Sequence, residues 1–249
     1  MLDQHLPPCG YSTVHQLGPA ELNLVNDHIH ASFYRRIQDA HPDFFRSAAF
    51  PDGGLSSYHT WSHVIEHSSL WRKQSRVLSK SFADMFLSSE FIAGLRSNFG
   101  YFEISDEEGF GFPNFVWRLV RPYEQSDVGP VHRDSWFWNL NESFPKPAFS
   151  FKRIKVWIAI NCEKGKSGLS LEPFSQLRSD IRFHRIFDGS IYKPVIDTEN
   201  SGIVNLILVS TEPGQSILFH DDLLHAGALN MGNETRVSME FTMLVRVES

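Results

Sequence analysis

Arg236-Val237-Ser238-Met239-Glu240-Phe241-Thr242-Met243 alternates polar and apolar residues without a break. A period of two is the signature of a β-strand with unlike faces, and it places Arg236 and Ser238 on the same face. Just upstream, Glu212-Pro213-Gly214-Gln215 makes a turn and Ser216-Ile217-Leu218-Phe219 a short buried strand. A polar corner, His220-Asp221-Asp222, follows, and then Leu223-Leu224-His225. Further short apolar or alternating runs occur at 101–104, 115–120, 154–160, 181–187 and 203–209. Gly, Pro, Asn and Asp punctuate them, which predicts an antiparallel β half. Residues 19–38 follow a different rule. Leu22, Val25, Ile29, Phe33 and Ile37 recur at spacings of three and four, the period of a helix that ends at His41-Pro42. Helices are also expected at 58–71, 76–86 and 90–97, after an irregular lead-in over residues 1–18. The fold class is therefore α+β, mainly β with helices. One domain is expected over 1–249, its helical first hundred residues packed outside a barrel-like β core from 101 on.

Composition narrows the function classes. With 249 residues, 41% hydrophobic and 21% charged, the chain is an ordinary globular protein large enough for a substantial core. A formal net charge of −6 argues against general binding to nucleic acid or an anionic membrane surface. The run Trp71-Arg72-Lys73-Gln74-Ser75-Arg76 is a local basic exception. Cys9 and Cys162 lie far apart, which predicts reduced thiols and neither a disulfide framework nor a structural zinc site. No apolar run nears the roughly 20 residues of a membrane span, and the N-terminus lacks signal-peptide order. A cytoplasmic protein is the expectation, of unspecified oligomeric state.

The chemistry gathers around Gly129-Pro130-Val131-His132-Arg133-Asp134. On a strand, His132 and Asp134 would share a face and could reach one ion from a single short segment. Imidazole nitrogen with a hard carboxylate oxygen suits Fe(II), Mn(II) or Zn(II). The spacing alone is unselective, since a chain with this many His and Asp contains roughly 0.7 His-x-Asp matches by chance. His220-Asp221-Asp222 is a second one, able in principle to form a compact site with His225. Further candidates are His59, His63 and His67, at i, i+4 and i+8 of one predicted helix. These three also fit a polar helix face, and His28 and His30 fit solvent-facing positions. Trp136, Phe137 and Trp138 follow the first motif and could either line a ligand pocket or pack in the core.

Taken together, His132-x-Asp134, His225 and Arg236-x-Ser238, in that order within a β-rich half, resemble the Fe(II)/2-oxoglutarate-dependent oxygenases of the phytanoyl-CoA dioxygenase-like superfamily. The resemblance spans about residues 114–245. It includes Val156-Trp157-Ile158-Ala159-Ile160-Asn161 and Gly168-Leu169-Ser170-Leu171-Glu172-Pro173. It implies a double-stranded β-helix, a jelly-roll or cupin-like barrel, with His132, Asp134 and His225 holding iron. Arg236 would pair with the far carboxylate of 2-oxoglutarate and Ser238 would supply a hydroxyl beside it. Arg118 is a looser match to a co-substrate-side position and has a salt bridge as its alternative; Trp136 and Trp138 would face substrate. The implied reaction consumes 2-oxoglutarate and O₂, releases succinate and CO₂, and oxidises a small or medium-sized metabolite. Halogenases of the superfamily lack the carboxylate that Asp134 provides, so hydroxylation or a related oxidation is implied. Glu172-Pro173-Phe174-Ser175-Gln176 departs from the Pro-Gly-Ser-His-like turn that many relatives carry. Two rival readings share the scaffold: a cupin-like metal enzyme that needs no oxo acid, and a non-catalytic binding protein.

Overall fold

The computed structural model describes residues 6–47, 50, 53–140, 146–187, 192–199 and 201–247. After a two-residue strand, β1 (Tyr11–Ser12), the helical part comprises α1 (Pro19–Ala40), α2 (Pro42–Arg46), α3 (Tyr58–Trp61), α4 (His67–Leu70), α5 (Lys80–Phe86) and α6 (Glu90–Phe99). Then follow β2 (Phe102–Ile104), β3 (Val116–Val120), the short helix α7 (Asp134–Leu140), β4 (Phe151–Asn161) and β5 (Leu169–Leu171). A hairpin of β6 (Phe183–Phe187) and β7 (Tyr192–Ile196) precedes β8 (Ile207–Val209), β9 (Ser216–His220), β10 (His225–Gly227) and β11 (Arg236–Arg246).

Two sheets face each other. The larger runs β1-β9-β4-β11-β2, with β3 also on β11; the smaller runs β10-β5-β8. An isolated antiparallel bridge between His132 and His225 extends the smaller sheet by one residue pair. The strands are arranged as in a jelly roll, as two opposed sheets with a separate two-stranded hairpin.

Strand alternation sorts side chains between two cores. On β11 and β4, Val237, Met239, Phe241 and Met243 with Ile154, Val156, Ile158 and Ile160 face the helices. There they join α1's Val25, Ile29, Phe33 and Ile37, all fully buried, in one continuous apolar cluster. Burial of each such side chain contributes about 1.5–3 kcal/mol, so this cluster fastens the helical layer to the sheet. Phe33 stacks on Trp71 with centroids 5.1 Å apart. Glu21 ties two helix starts together by accepting from the backbone N–H of Gly18, ahead of α1, and of Phe91 in α6, each at 2.8 Å. The opposite face of the large sheet, with Trp157, Ala159, Ile217 and Phe219, packs on Leu169, Leu171 and Val209 of the small sheet.

Several expected elements differ. The helix read over 58–71 is interrupted: α3 gives way to a 3-10 turn and then to α4. His59 therefore bonds to Thr235, while His67 meets Tyr58 and Asp127, so the three histidines do not form one face. Residues 73–76 form a 3-10 turn, and α5 starts only at Lys80, where the Ser79 hydroxyl caps Phe82 N–H. Of the run 203–209 only Ile207–Val209 is strand. Among the described residues, no helix is long and apolar enough to cross a membrane.

Candidate metal centre and co-substrate site

His132 and His225 are cross-strand partners. Each donates its backbone N–H to the other's carbonyl at 3.0 Å, which places both side chains on one face and their ring centroids 4.3 Å apart. Each ring is then pinned through Nδ1, His132 to the Pro130 carbonyl at 2.8 Å and His225 to the Leu223 carbonyl at 2.9 Å. A carbonyl can only accept, so both Nδ1 atoms carry a proton, and in a neutral ring Nε2 is then the nitrogen that presents a lone pair.

Asp134 meets those lone pairs, but not from a strand. Contrary to the strand reading of His132-x-Asp134, the chain turns at Arg133 and Asp134 is the first residue of α7. Its Oδ1 lies 3.5 Å from His132 Nε2 and its Oδ2 3.8 Å from His225 Nε2. The three ligand atoms all fall within 4.8 Å of one another. Asp134 Oδ2 is buried and has no hydrogen-bond partner among the described residues. Burial pushes the Asp134 carboxyl up, but the Lys155 ammonium is the leading charge that outweighs it and holds the group well below the usual carboxylate range. Burial, and then the neighbouring His132, pull His225 down to about 4, so its ring is neutral at pH 7. Three ligand atoms thus converge on one point, and the N, N, O donor set fits a divalent transition metal with positions left open.

The start of α7 is clamped by the second His-x-Asp segment. Ser135 donates its N–H to the Asp221 carbonyl at 3.0 Å and its hydroxyl to the Asp222 carboxylate. Asp221 is buried and paired with Arg153 at 2.6 Å. His220, Asp221 and Asp222 do sit within metal-ligand distance of one another, but both carboxylates are engaged in holding Ser135 and Arg153. Arg133, between the two candidate ligands, is buried and donates to the carbonyls of Ser175 (2.7 Å) and Arg178 (2.9 Å). It thereby braces the divergent Glu172–Gln176 turn against the metal motif.

On the inner face of β11, Arg236 is 3% exposed. It donates Nη1 to the Gly168 carbonyl at 2.9 Å and lies 5.7 Å from the Trp157 ring centroid, while its Nε and the buried Ser238 hydroxyl have no partner among the described residues. Gly168 holds φ at +146°, and a Cβ there would come within 3.3 Å of the Val209 carbonyl, so glycine lets the backbone approach this closely. No carboxylate among the described residues pairs with Arg236. Burial, then the nearby Arg118, lower it to about 10. An unneutralised guanidinium and an idle hydroxyl two residues apart are what a carboxylate ligand needs. Arg118 stands opposite Ser238 in register, and its guanidinium is held by Glu240 at 2.7 Å.

The profile of the family described as phytanoyl-CoA dioxygenase (PhyH) matches residues 17–238, most of the chain. The protein is a member of that family. No curated protein matches it in sequence. Among solved structures, EvdO2 from Micromonospora carbonacea var. aurantiaca superposes with a TM-score of 0.60 at 14% identity, covering 100% of this chain and 94% of that one. The non-heme monooxygenase ThoJ, in its apo form, gives 0.55 at 16% identity over 96% and 75% of the two chains. The epimerase SnoN, in complex with Fe³⁺, α-ketoglutarate and nogalamycin RO, gives 0.53 at 13% identity over 95% and 79%. At these identities the likeness establishes the fold of this PhyH protein.

The aromatic residues after the motif divide in an order the sequence did not suggest. Phe137 packs edge-on against His132, centroids 5.3 Å apart. Trp136 is buried, stacked on Phe183 of the β6–β7 hairpin at 4.6 Å. Trp138 is buried beneath the Arg153 guanidinium. Sequence reasoning missed Lys155, Glu240 and Glu107, charged groups beside the site. Their signal was present: Lys155 interrupts an apolar run, and Glu240 continues the Arg236-x-Ser238 face. The polar side of such a strand is ordinarily solvated; in this PhyH member it turns inward.

Proposed function

We propose that the protein is an Fe(II)- and 2-oxoglutarate-dependent oxygenase that hydroxylates a small or medium-sized molecule with release of succinate and CO₂. The observation that carries this reading is the convergence of His132, Asp134 and His225, on a fold that, among the described residues, also buries Arg236 without a carboxylate partner and the Ser238 hydroxyl without a hydrogen bond. His132, Asp134 and His225 would hold the metal. When bound, Fe(II) with the oxo acid and O₂ supplies the oxidising power for attack on an unactivated C–H bond.

The chain's own residues prepare the site. The Pro130 and Leu223 carbonyls fix the imidazole tautomers, so Nε2 is presented without a change of protonation. Ser135 and the 221–222 corner fix where α7 begins and hence where Asp134 points. Arg236 and Ser238 bind the far carboxylate of the co-substrate, and Arg118 adds positive charge beside them. Phe137 and Phe219, each against one of the two imidazoles, keep water from crowding the ligand set. Trp136 and Trp138 act on substrate indirectly, through the hairpin and through Arg153 of β4, which they pack against.

The test is anaerobic titration of the purified protein with Fe(II) and 2-oxoglutarate, followed by turnover in ¹⁸O₂. Co-substrate binding, succinate release and label in the product are expected, and all are lost in Asp134→Ala. Failure to bind both metal and oxo acid refutes the reading.

A further inference from the structure

The inner face of β11 continues past the residues assigned to the co-substrate. Glu240 and Thr242 follow Arg236 and Ser238 on that face, and Lys155 of β4 stands opposite Thr242. All three side chains are buried. Arg118 directs two of its nitrogens at one Glu240 oxygen, Nε at 2.8 Å and Nη2 at 2.7 Å. The Lys155 ammonium lies 4.0 Å from that same oxygen and 3.4 Å from the Thr242 hydroxyl. Thr242 donates to Glu107 at 2.5 Å, and Glu107 pairs with Lys73 at 3.3 Å. An ionic chain therefore crosses from the 3-10 turn at Lys73–Arg76 to the inside of the sandwich.

Stability does not account for this chain, because apolar residues of similar volume commonly serve a fold as well or better than buried ion pairs. Its consequence is geometric. Arg118 stands opposite Ser238 in register and keeps 42% of its side chain exposed although its neighbours Trp117 and Leu119 are buried, so the protein does not enclose it. Its third nitrogen, Nη1, has no partner among the described residues. An arginine free to swing in a cavity loses rotamer entropy when it grips an anion; one already locked to a carboxylate behind it loses much less.

We propose that Glu240 is a positioning residue for co-substrate binding: it fixes Arg118 beside Ser238 so that the arginine's remaining edge meets a carboxylate of the oxo acid. This rests on the co-substrate seat proposed above. The lock acts through Arg118 alone, with Lys155, itself held by Thr242, beside Glu240 on its other side.

Calorimetric binding of 2-oxoglutarate to the Mn(II)-loaded protein tests the proposal without turnover. Glu240→Gln and Arg118→Met should each weaken oxo-acid binding by about tenfold or more, with Mn(II) affinity unchanged. The double variant should bind no more weakly than Arg118→Met, a non-additivity that a purely structural role does not produce. If Glu240→Gln fails to fold, Glu240→Asp keeps the charge but shortens its reach, and the same loss is expected. Unchanged oxo-acid affinity in the folded Glu240 variant overturns the proposal, as does a loss of equal size in the Arg118→Met background. A wild-type protein that binds no oxo acid overturns this proposal and the functional reading together; wild-type binding with an indifferent Glu240 overturns this proposal alone.

Discussion

Replacing Arg236 by Met should move stability and ligand binding in opposite directions. The guanidinium is 3% exposed and has no anionic partner among the described residues; burial and Arg118 bring it down to about 10 from the ordinary arginine value of 12.5. That gap corresponds to roughly 3 kcal/mol held against the charged form in the ligand-free protein. Met removes this cost. It also removes the hydrogen bond to the Gly168 carbonyl, about 1 kcal/mol, and the contact with the Trp157 ring, about another 1 kcal/mol. The balance is a variant roughly 1 kcal/mol more stable than wild type, or about 2–4 °C in melting temperature for a chain of this size. Binding responds the other way. Deleting one partner of a buried charged pair costs about 2–5 kcal/mol, so 2-oxoglutarate affinity should fall roughly 30- to 5000-fold. Arg236→Lys should rescue little of it, because a point charge lacks the planar fork. Scanning calorimetry on the ligand-free protein and titration of the Mn(II)-loaded form with the oxo acid measure the two halves. A variant that melts several degrees lower yet binds 2-oxoglutarate like wild type would refute the reasoning, since Arg236 would then be part of the fold's support.

Metal itself should stabilise the protein. Mn(II) at a hundredfold excess over its Kd adds about 2.7 kcal/mol, roughly 5–10 °C, and His225→Ala should abolish that shift in a thermal melt. Ser135→Ala releases α7 from the Asp222 carboxylate, so metal affinity should drop about tenfold in an equilibrium titration while melting changes little. Asp127, its side chain 2% exposed and held by Arg121 and His67, ties β3 to the helical layer, and Asp127→Ala should cost about 3–5 kcal/mol in denaturant unfolding. Burial pushes the Asp127 carboxyl up, but hydrogen bonds from Arg121 and His67 hold it well below its ordinary value. A depressed carboxylate stabilises above the unfolded-state value and loses that contribution as pH falls through the folded one. The gap between wild type and Asp127→Ala should therefore hold from neutral pH to about 5 and narrow progressively as pH falls below about 4.

Hydrophobic period carried much of the fold, because period follows directly from backbone geometry. The four-residue spacing of Val25, Ile29, Phe33 and Ile37 is α1's buried stripe, and the alternation from Arg236 onward is β11. What escaped were elements whose stability is not local. β5 and β10 are three residues each and exist because they pair with each other. β7 forms against the strand that the run 181–187 announced, and their hairpin gains its anchor from Phe183 on Trp136. The break between α3 and α4 follows from contacts such as His59 with Thr235, 176 positions away, which no window of sequence contains.

The same distinction explains the triad. His132 and His225 are brought together by mutual backbone hydrogen bonds, a long-range pairing that leaves no trace in either segment's composition. Asp134 reaches them because the chain leaves extended conformation at Arg133. On a continued strand its Cα would sit roughly 6.6 Å along from that of His132, with the side chains parallel rather than convergent. Entering α7 instead swings the carboxylate across both Nε2 atoms. A two-residue spacing is thus compatible with a metal site for a reason other than strand alternation, and the residues that enforce the turn are Ser135 and the 221–222 corner. The second His-x-Asp segment, which looks from sequence like a competitor for the ion, is a support of the first.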